Sequence, residues 1–301
     1  MQKSQKNKMS LISRIRKWMI ISKVWSFQTV FIAVTTGSIL ALKSFNIEFY
    51  LAMLIGVVSL NAIANIYNDI HDFKVGIDKE NDAAVIERKH PMFKNSETYT
   101  PERMLKLSVF ILLVISISCG IYIAIFRGIF VLFLGTLGAL MAFSYTLGKS
   151  RLKLPGYGEI MTFLVYGPLL VCSSFYVNSG YFSLVSLFAS IPIGIMIMLI
   201  LFANNIRDIE ADKQAGLVTL ANTLGAKKSL MLFEIFIIAA YMFSFANIIF
   251  IGLSALFTIL SFPFVWHILK VFHKSIPPNA AAMTSKVALL FGILFALGML
   301  F

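Results

Sequence analysis

The sequence predicts an all-α polytopic membrane protein, and three observations carry that reading. The 301-residue chain is 58% hydrophobic and only 13% charged, with a mean hydropathy of +0.84; a soluble domain carries about 25% charged residues. Its apolar stretches reach about 18–25 residues, enough to cross a bilayer as helices. These stretches are continuous in Leu, Ile, Phe and Met rather than alternating, which sets aside a membrane β-barrel.

Nine spans follow, near 24–43, 48–67, 105–125, 127–146, 158–178, 182–204, 229–248, 250–270 and 284–301. The connections at 126–128, 179–181 and 249 are short, and those at 68–104, 147–157, 205–228 and 271–283 are longer and polar. Of the 26 Lys and Arg, all but Lys43 and Arg127 fall on one set of alternate connections or the N-terminal segment. By the positive-inside rule those connections are cytoplasmic, with the N-terminus inside and the C-terminus outside an inner (plasma) membrane. Residues 1–23 form a basic cytoplasmic segment, and 24–301 a single transmembrane domain. The stretch "SLISRIRKWMIISKVW" is partly amphipathic and carries no signal-peptide cleavage pattern, so the first span is expected to be retained.

The net charge of +12 reads as topology signals and contacts to membrane lipid, not nucleic-acid binding. Cys119 and Cys172 fall inside spans and read as small buried residues rather than a disulfide or metal site. No obligate protein partner is expected.

The polar residues collect on the cytoplasmic side. "NAIANIYNDIHDFKVGID", residues 61–78, leaves the second span with Asn61, Asn65, Asn68 and Asp72 spaced 4, 3 and 4 apart, hence on one helical face. Gly76 permits a turn that returns Asp78 to the same site. Amide and carboxylate oxygens suit a hard cation, and Mg²⁺ commonly shares its shell with substrate phosphates. "LFANNIRDIEADKQAG", residues 201–216, repeats the arrangement with Asn204, Asp208 and Asp212 at i, i+4 and i+8, flanked by Arg207 and Lys213. Either cluster alone reads equally well as a solvated acidic loop. Two of them, each ending a span on the same side, point to metal binding, with a diphosphate bridging a Mg²⁺ pair.

These stretches resemble the UbiA superfamily of intramembrane prenyltransferases, closest to its 1,4-dihydroxy-2-naphthoate branch, which makes menaquinone precursors. "NDIHDFKVGID" is similar to a first motif NDxxDxxxGxD. "NNIRDIEADKQAG" is similar to NNxRDxxxDxxxG, and "TLANTLG" to the tail that follows it. Residues 144–177, "SYTLGKSRLKLPGYGEIMTFLVYGPLLVCSSFYV", resemble YTxGP…GxGE…FxxFGPxxVxGxxYV. The likeness covers residues 25 to about 230. It implies nine helices around a central cavity and Mg²⁺ held by Asn68, Asp72, Asp78, Asp208 and Asp212. Asn65, Asn204 and Asn205 are implied nearby, and Lys149 as the basic residue on the diphosphate, with Arg207 and Lys213 able to assist. Two positions bordering the acceptor side differ from the family's Arg-Pro pairs: Lys23-Val24 and His90-Pro91.

The implied reaction transfers a prenyl chain from a polyprenyl diphosphate to an aromatic acceptor. The allylic donor ionises, and metal with Lys and Arg neutralises the departing pyrophosphate. The cation needs a dry pocket and gains from aromatic faces; Tyr145, beside Lys149, is the candidate. Glu159 is a candidate for holding the acceptor's polar groups, and equally for pairing with a helix N-terminus. His90 is a candidate contact to diphosphate or acceptor; His71 reads as surface, and His267 and His273 as interfacial. The alternatives are a different acceptor such as 4-hydroxybenzoate, a membrane terpene cyclase, and, more distantly, a transporter. A transporter expects charge at mid-membrane and inverted repeats, and neither is evident.

Overall fold

The computed structural model describes residues 11–76, 89–151 and 154–300, and all regular structure among them is helical. In chain order the helices are α1 (Leu11–Ile21), α2 (Phe27–Leu40), α3 (Ile47–Lys74), α4 (Glu102–Arg127), α5 (Phe130–Arg151) and α6 (Tyr157–Ser179). There follow α7 (Leu184–Arg207), the short α8 (Ile209–Gln214) and α9 (Leu220–Leu224), α10 (Ala226–Ile251), α11 (Ala255–Lys274) and α12 (Ala280–Gly298).

Among the described residues seven helices are long and apolar enough to cross a bilayer: α3, α4, α6, α7, α10, α11 and α12. The count rises to eight if α1 and α2, which meet at 54°, act as one bent span. The expected nine are thus met only in part on length, for a local reason. The helix of α2 has 14 residues, about 21 Å, short of a hydrocarbon core of about 30 Å. Lys23 at φ 53° ends the preceding helix, so part of the basic segment is helical rather than a featureless tail. In α5 only Phe130–Ser144 is apolar.

Local chemistry sets the helix ends. The Asn46 side chain accepts from the backbone N–H of Glu48 and Phe49 at 2.8 and 3.0 Å and starts α3. Ser183 caps α7 through Val185 N–H, as short polar side chains do at helix starts. Gly180, at φ 82°, closes α6 in the left-handed conformation glycine tolerates. Arg127, one of the two basic residues outside the set expected to be cytoplasmic, caps that end. Its Nε donates to Val177 O at 2.8 Å, a second guanidinium nitrogen donates to Asn178 O at 2.7 Å, and the group lies over the Phe49 ring. A cation at a helix C-terminus meets the negative end of the dipole.

The centre of the bundle is α7, where Ala189, Leu199, Phe202 and Ala203 are fully buried. By contrast α4 turns Phe110, Ile111, Ile117 and Ile125 outward, a surface that suits lipid. Close approach to α7 is through glycine. An added Cβ on Gly194 would sit 2.9 Å from Gly167 Cα and 3.0 Å from Phe163 O. Gly167 belongs to a π-helical turn, Val165–Leu169, that also holds Pro168; proline lacks the N–H that would bond the preceding turn. An apolar cavity of about 170 Å³ lies among α3, α4, α5 and α6, with small residues such as Gly56, Gly120, Gly135 and Ala139 in its wall.

Gly194→Ala is expected to destabilise the protein by about 1–3 kcal/mol through overpacking, read as a fall in thermal unfolding temperature in detergent. Gly135→Ala, where an added Cβ meets nothing within 4 Å, is expected to unfold at or slightly above the wild-type temperature.

Candidate active site

The 28 residues of α3 carry the first polar cluster without a break, from inside the bundle to its rim. At the inner end Asn61 donates from Nδ2 to Tyr166 Oη at 2.6 Å and accepts on Oδ1 from Ser26 Oγ at 2.7 Å. One turn on, Asn65 donates to Asn61 Oδ1, Ser22 O and Ser26 Oγ, each at 3.0 Å. Asn65 is therefore engaged with the α1–α2 link. At the rim Asn68 donates from Nδ2 to Asp72 Oδ2 at 2.7 Å, and His71 Nδ1 lies 3.3 Å from Asp72 Oδ1. Asp72 is buried, and His71 is half-buried against it rather than free on the surface.

A buried ion pair fixes this end of α3. Lys23 Nζ donates to Asp69 Oδ1 at 2.8 Å, and the Asp69 side chain is only 3% exposed. His90, also buried, places Nε2 4.0 Å from the same oxygen and stacks on Phe73. Its Nδ1 accepts from Met92 N–H at 3.2 Å, which assigns the proton to Nε2 in the neutral ring. The connection around it is pinned by Lys89, which bonds Glu97 at 2.5 Å and holds that exposed carboxyl below its usual range. Both positions that depart from Arg-Pro pairs, Lys23 and His90, thus converge on Asp69.

The second cluster ends α7. Asn204 Nδ2 donates to Asp208 Oδ2 at 3.2 Å. Arg207 grips the same carboxylate with Nε and a terminal nitrogen at 2.7 and 2.6 Å, and donates to Pro278 O at 3.0 Å. Asn205 faces elsewhere and donates to Glu159 Oε1 at 2.9 Å. Glu159 is 3% exposed in the first turn of α6, so the amide and the helix N-terminus both support its buried carboxyl. Lys213 pairs with Glu210 at 3.1 Å on an exposed surface, and Asp212 is partly buried on α8. Tyr145 and Lys149 lie on α5, their side chains outside the described residues, and Asp78 is outside them altogether.

One observation bears on the metal. Asn68 Oδ1 is buried and has no hydrogen-bond partner among the described residues, beside the Asp72 carboxylate. A desolvated amide oxygen is costly and is the kind of donor a hard cation takes. Among the described residues no three His, Cys, Asp or Glu side chains gather as a metal cage. An ion bound through one or two carboxylates, amide oxygens and substrate phosphate fits this donor set better than an all-protein cage.

The UbiA prenyltransferase family profile matches residues 30–295. The chain belongs to that family. It is accordingly a prenyltransferase with the all-helical UbiA fold. It is 29% identical over 298 residues to UbiA prenyltransferase domain-containing protein 1 of Dictyostelium discoideum, covering 96% of this chain and 88% of that protein. It is also 29% identical over 282 residues to 1,4-dihydroxy-2-naphthoate octaprenyltransferase of Bacillus subtilis, covering 90% and 88%. A UbiA homolog from Archaeoglobus fulgidus, solved bound to GPP and Mg²⁺, superposes with a TM-score of 0.69 at 12% identity, covering 95% of this chain and 100% of that one.

Sequence reasoning passed over Asp69 and Tyr166 in this UbiA-family chain. Asp69 sits inside the quoted first motif, four residues after Asn65, and only packing reveals its Lys23 partner. Tyr166 stands where the pattern FxxFGP has phenylalanine, which is the signal that could have found it.

Removing the ammonium in Lys23→Met leaves a buried carboxylate without its main partner. The expected loss is on the order of 2–3 kcal/mol, below the range for a fully buried pair because Lys23 is partly solvated. Lys23→Arg restores most of it, both measured by thermal unfolding in detergent.

Proposed function

We propose that this prenyltransferase moves a prenyl chain from a polyprenyl diphosphate to 1,4-dihydroxy-2-naphthoate, in an inner membrane, with the active site open to the cytoplasm. The observation that carries the reading is the pair of Asn–Asp units, Asn68–Asp72 and Asn204–Asp208, at the rim ends of α3 and α7. The Bacillus subtilis relative's name supports the acceptor, and the Archaeoglobus fulgidus homolog's GPP and Mg²⁺ support the donor class and the metal. The reading includes nine crossings around a central cavity, with the bent α1–α2 pair and α5 supplying the two that are short by length, and a cytoplasmic N-terminus.

Asn68, Asp72, Asp78, Asp208 and Asp212 would hold Mg²⁺, as two ions on either side of the diphosphate. Bound there, Mg²⁺ supplies positive charge to the departing pyrophosphate. Asn204 orients Asp208, and Asn65 holds α3 against the α1–α2 link rather than reaching the ion. Arg207 has a planar fork suited to phosphate as well as carboxylate, so it can exchange part of its grip on Asp208 for the donor. Lys149 and Lys213 add cationic charge at the rim. The apolar walls beyond exclude water from the allylic cation, and the Tyr145 ring is assigned to face it. Glu159, held by Asn205, orients the acceptor's polar edge while the ring carbon bonds C1 of the donor, the C1–O bond to pyrophosphate breaks, and the ring carbon then gives up its proton to water at the rim.

The test is turnover in nanodiscs with GPP and longer donors, against 1,4-dihydroxy-2-naphthoate and 4-hydroxybenzoate. Prenylated naphthoate is expected with Mg²⁺ and not with EDTA. Asp72→Ala and Asp208→Ala are each expected to lower kcat/KM at least 100-fold, the scale at which a main electrostatic contributor is felt. A prenylated benzoate alone, or a hydrocarbon without acceptor, would replace the naphthoate assignment.

A further inference from the structure

The cavity walled by α3 to α6 is lined mainly by aliphatic and small side chains, yet it carries a hydrogen-bonded polar pair, Asn61 and Tyr166. Asn61 lies seven residues inward from Asn68, two helical turns or about 10 Å along α3. Its amide oxygen is committed to Ser26 and Asn65, and one of its two N–H groups goes to Tyr166. The remaining amide N–H belongs to a residue in the cavity wall. Tyr166 is displayed from the π-helical turn beside Pro168, and such turns recur at functional sites.

An isoprenoid tail has no group for an amide or a phenol to bond. A hydroxylated aromatic ring does have such a group. Its reactive carbon must lie near the rim, where the diphosphate is held; with C3 of 1,4-dihydroxy-2-naphthoate placed there, the 4-hydroxyl flanks that carbon, and the 1-hydroxyl, meta to it, is the far hydroxyl directed inward along α3. We propose that Asn61 and Tyr166 bind that far hydroxyl of the acceptor and set the enzyme's preference for it. This rests on the naphthoate reading above. Asn61 donates to the hydroxyl oxygen, and the Tyr166 phenol exchanges a hydrogen bond with it. The same pair also ties α3 to α6, so the test must separate recognition from packing.

Tyr166→Phe keeps the ring and removes one oxygen. In nanodiscs with GPP and Mg²⁺, wild type and this variant would be compared on 1,4-dihydroxy-2-naphthoate, 1-hydroxy-2-naphthoate and 4-hydroxy-2-naphthoate. The wild type is expected to lose at least tenfold in kcat/KM when the far hydroxyl is missing, the scale of one lost hydrogen bond left unpaired in a dry site. In Tyr166→Phe that penalty shrinks to within about threefold, carried by the acceptor KM, while the KM for GPP stays within twofold of wild type. Asn61→Ser, which shortens the donor, is expected to shrink it in the same sense. An unchanged penalty in both variants, or an effect on the KM for GPP alone, overturns the proposal. Equilibrium binding of the three naphthoates, followed by quenching of intrinsic fluorescence, reads the same preference without turnover. If wild type prenylates no naphthoate, the acceptor assignment fails. The pair is then judged by binding alone, where equal affinity of all three for wild type, or no affinity, overturns it.

Discussion

Polar groups placed inside an apolar bundle must satisfy one another, and this constraint shapes the half of the molecule that carries the two rim clusters. An unpaired amide or carboxylate away from water costs several times what a made hydrogen bond returns. The chain meets the cost by running its polar residues along one edge of α3, where each is within reach of the next. Asn61 and Asn65 share Ser26, and Asn68 holds Asp72. Asp69, one turn beyond Asn65, is met by Lys23. The consequence is mechanical. The bent start of the chain is tied to α3 at Ser22, Lys23 and Ser26, so α1, α2 and α3 meet the rim as one unit. Asn68 Oδ1 is an exception, buried with no partner among the described residues, beside the Asp72 carboxylate.

The second half of the site obeys the same rule with different means. α7 is buried along much of its length, and the polar residues at its end are divided among neighbours. Asn204 and Arg207 hold Asp208, Arg207 reaches the connection at Pro278, and Asn205 meets Glu159 on α6. Three elements thus converge on five consecutive residues. A bidentate guanidinium fixes the orientation of the carboxylate it grips.

The helical class and the two rim clusters were legible because hydrophobic run length and i, i+4 spacing are properties of the chain alone. The alignment of Asn61, Asn65, Asn68 and Asp72 followed from helical geometry, and α3 is indeed unbroken through all four. What spacing could not supply was the partner of each polar group. It put Asn65 on one face with Asn61 and Asn68, and packing adds that its amide bonds Ser22, Ser26 and Asn61. It read His71 as surface, whereas the ring rests against Asp72. It had no means to see that Lys23, His90 and Asp69, far apart in sequence, form one buried group. The expected span at 24–43 coincides with the helical stretch Val24–Leu40, and what run length could not foresee is the 54° bend that joins it to α1.

The position of Tyr166 shows how a packing constraint becomes a chemical one. Pro168 has no N–H to give the turn before it, and the helix widens into a π turn at Val165–Leu169. The widening alone would push α6 away from α7. Gly167 against Gly194 removes that obstacle, because with no Cβ on either side the two backbones close to contact. Drawn in on one side by glycine and opened on the other by proline, the turn displays Tyr166 in the cavity wall against Asn61. A bulkier residue at 167 or 194 would therefore do more than loosen the bundle. It would move the phenol relative to the amide ladder of α3, coupling the stability of the α6–α7 contact to the chemistry of the cavity.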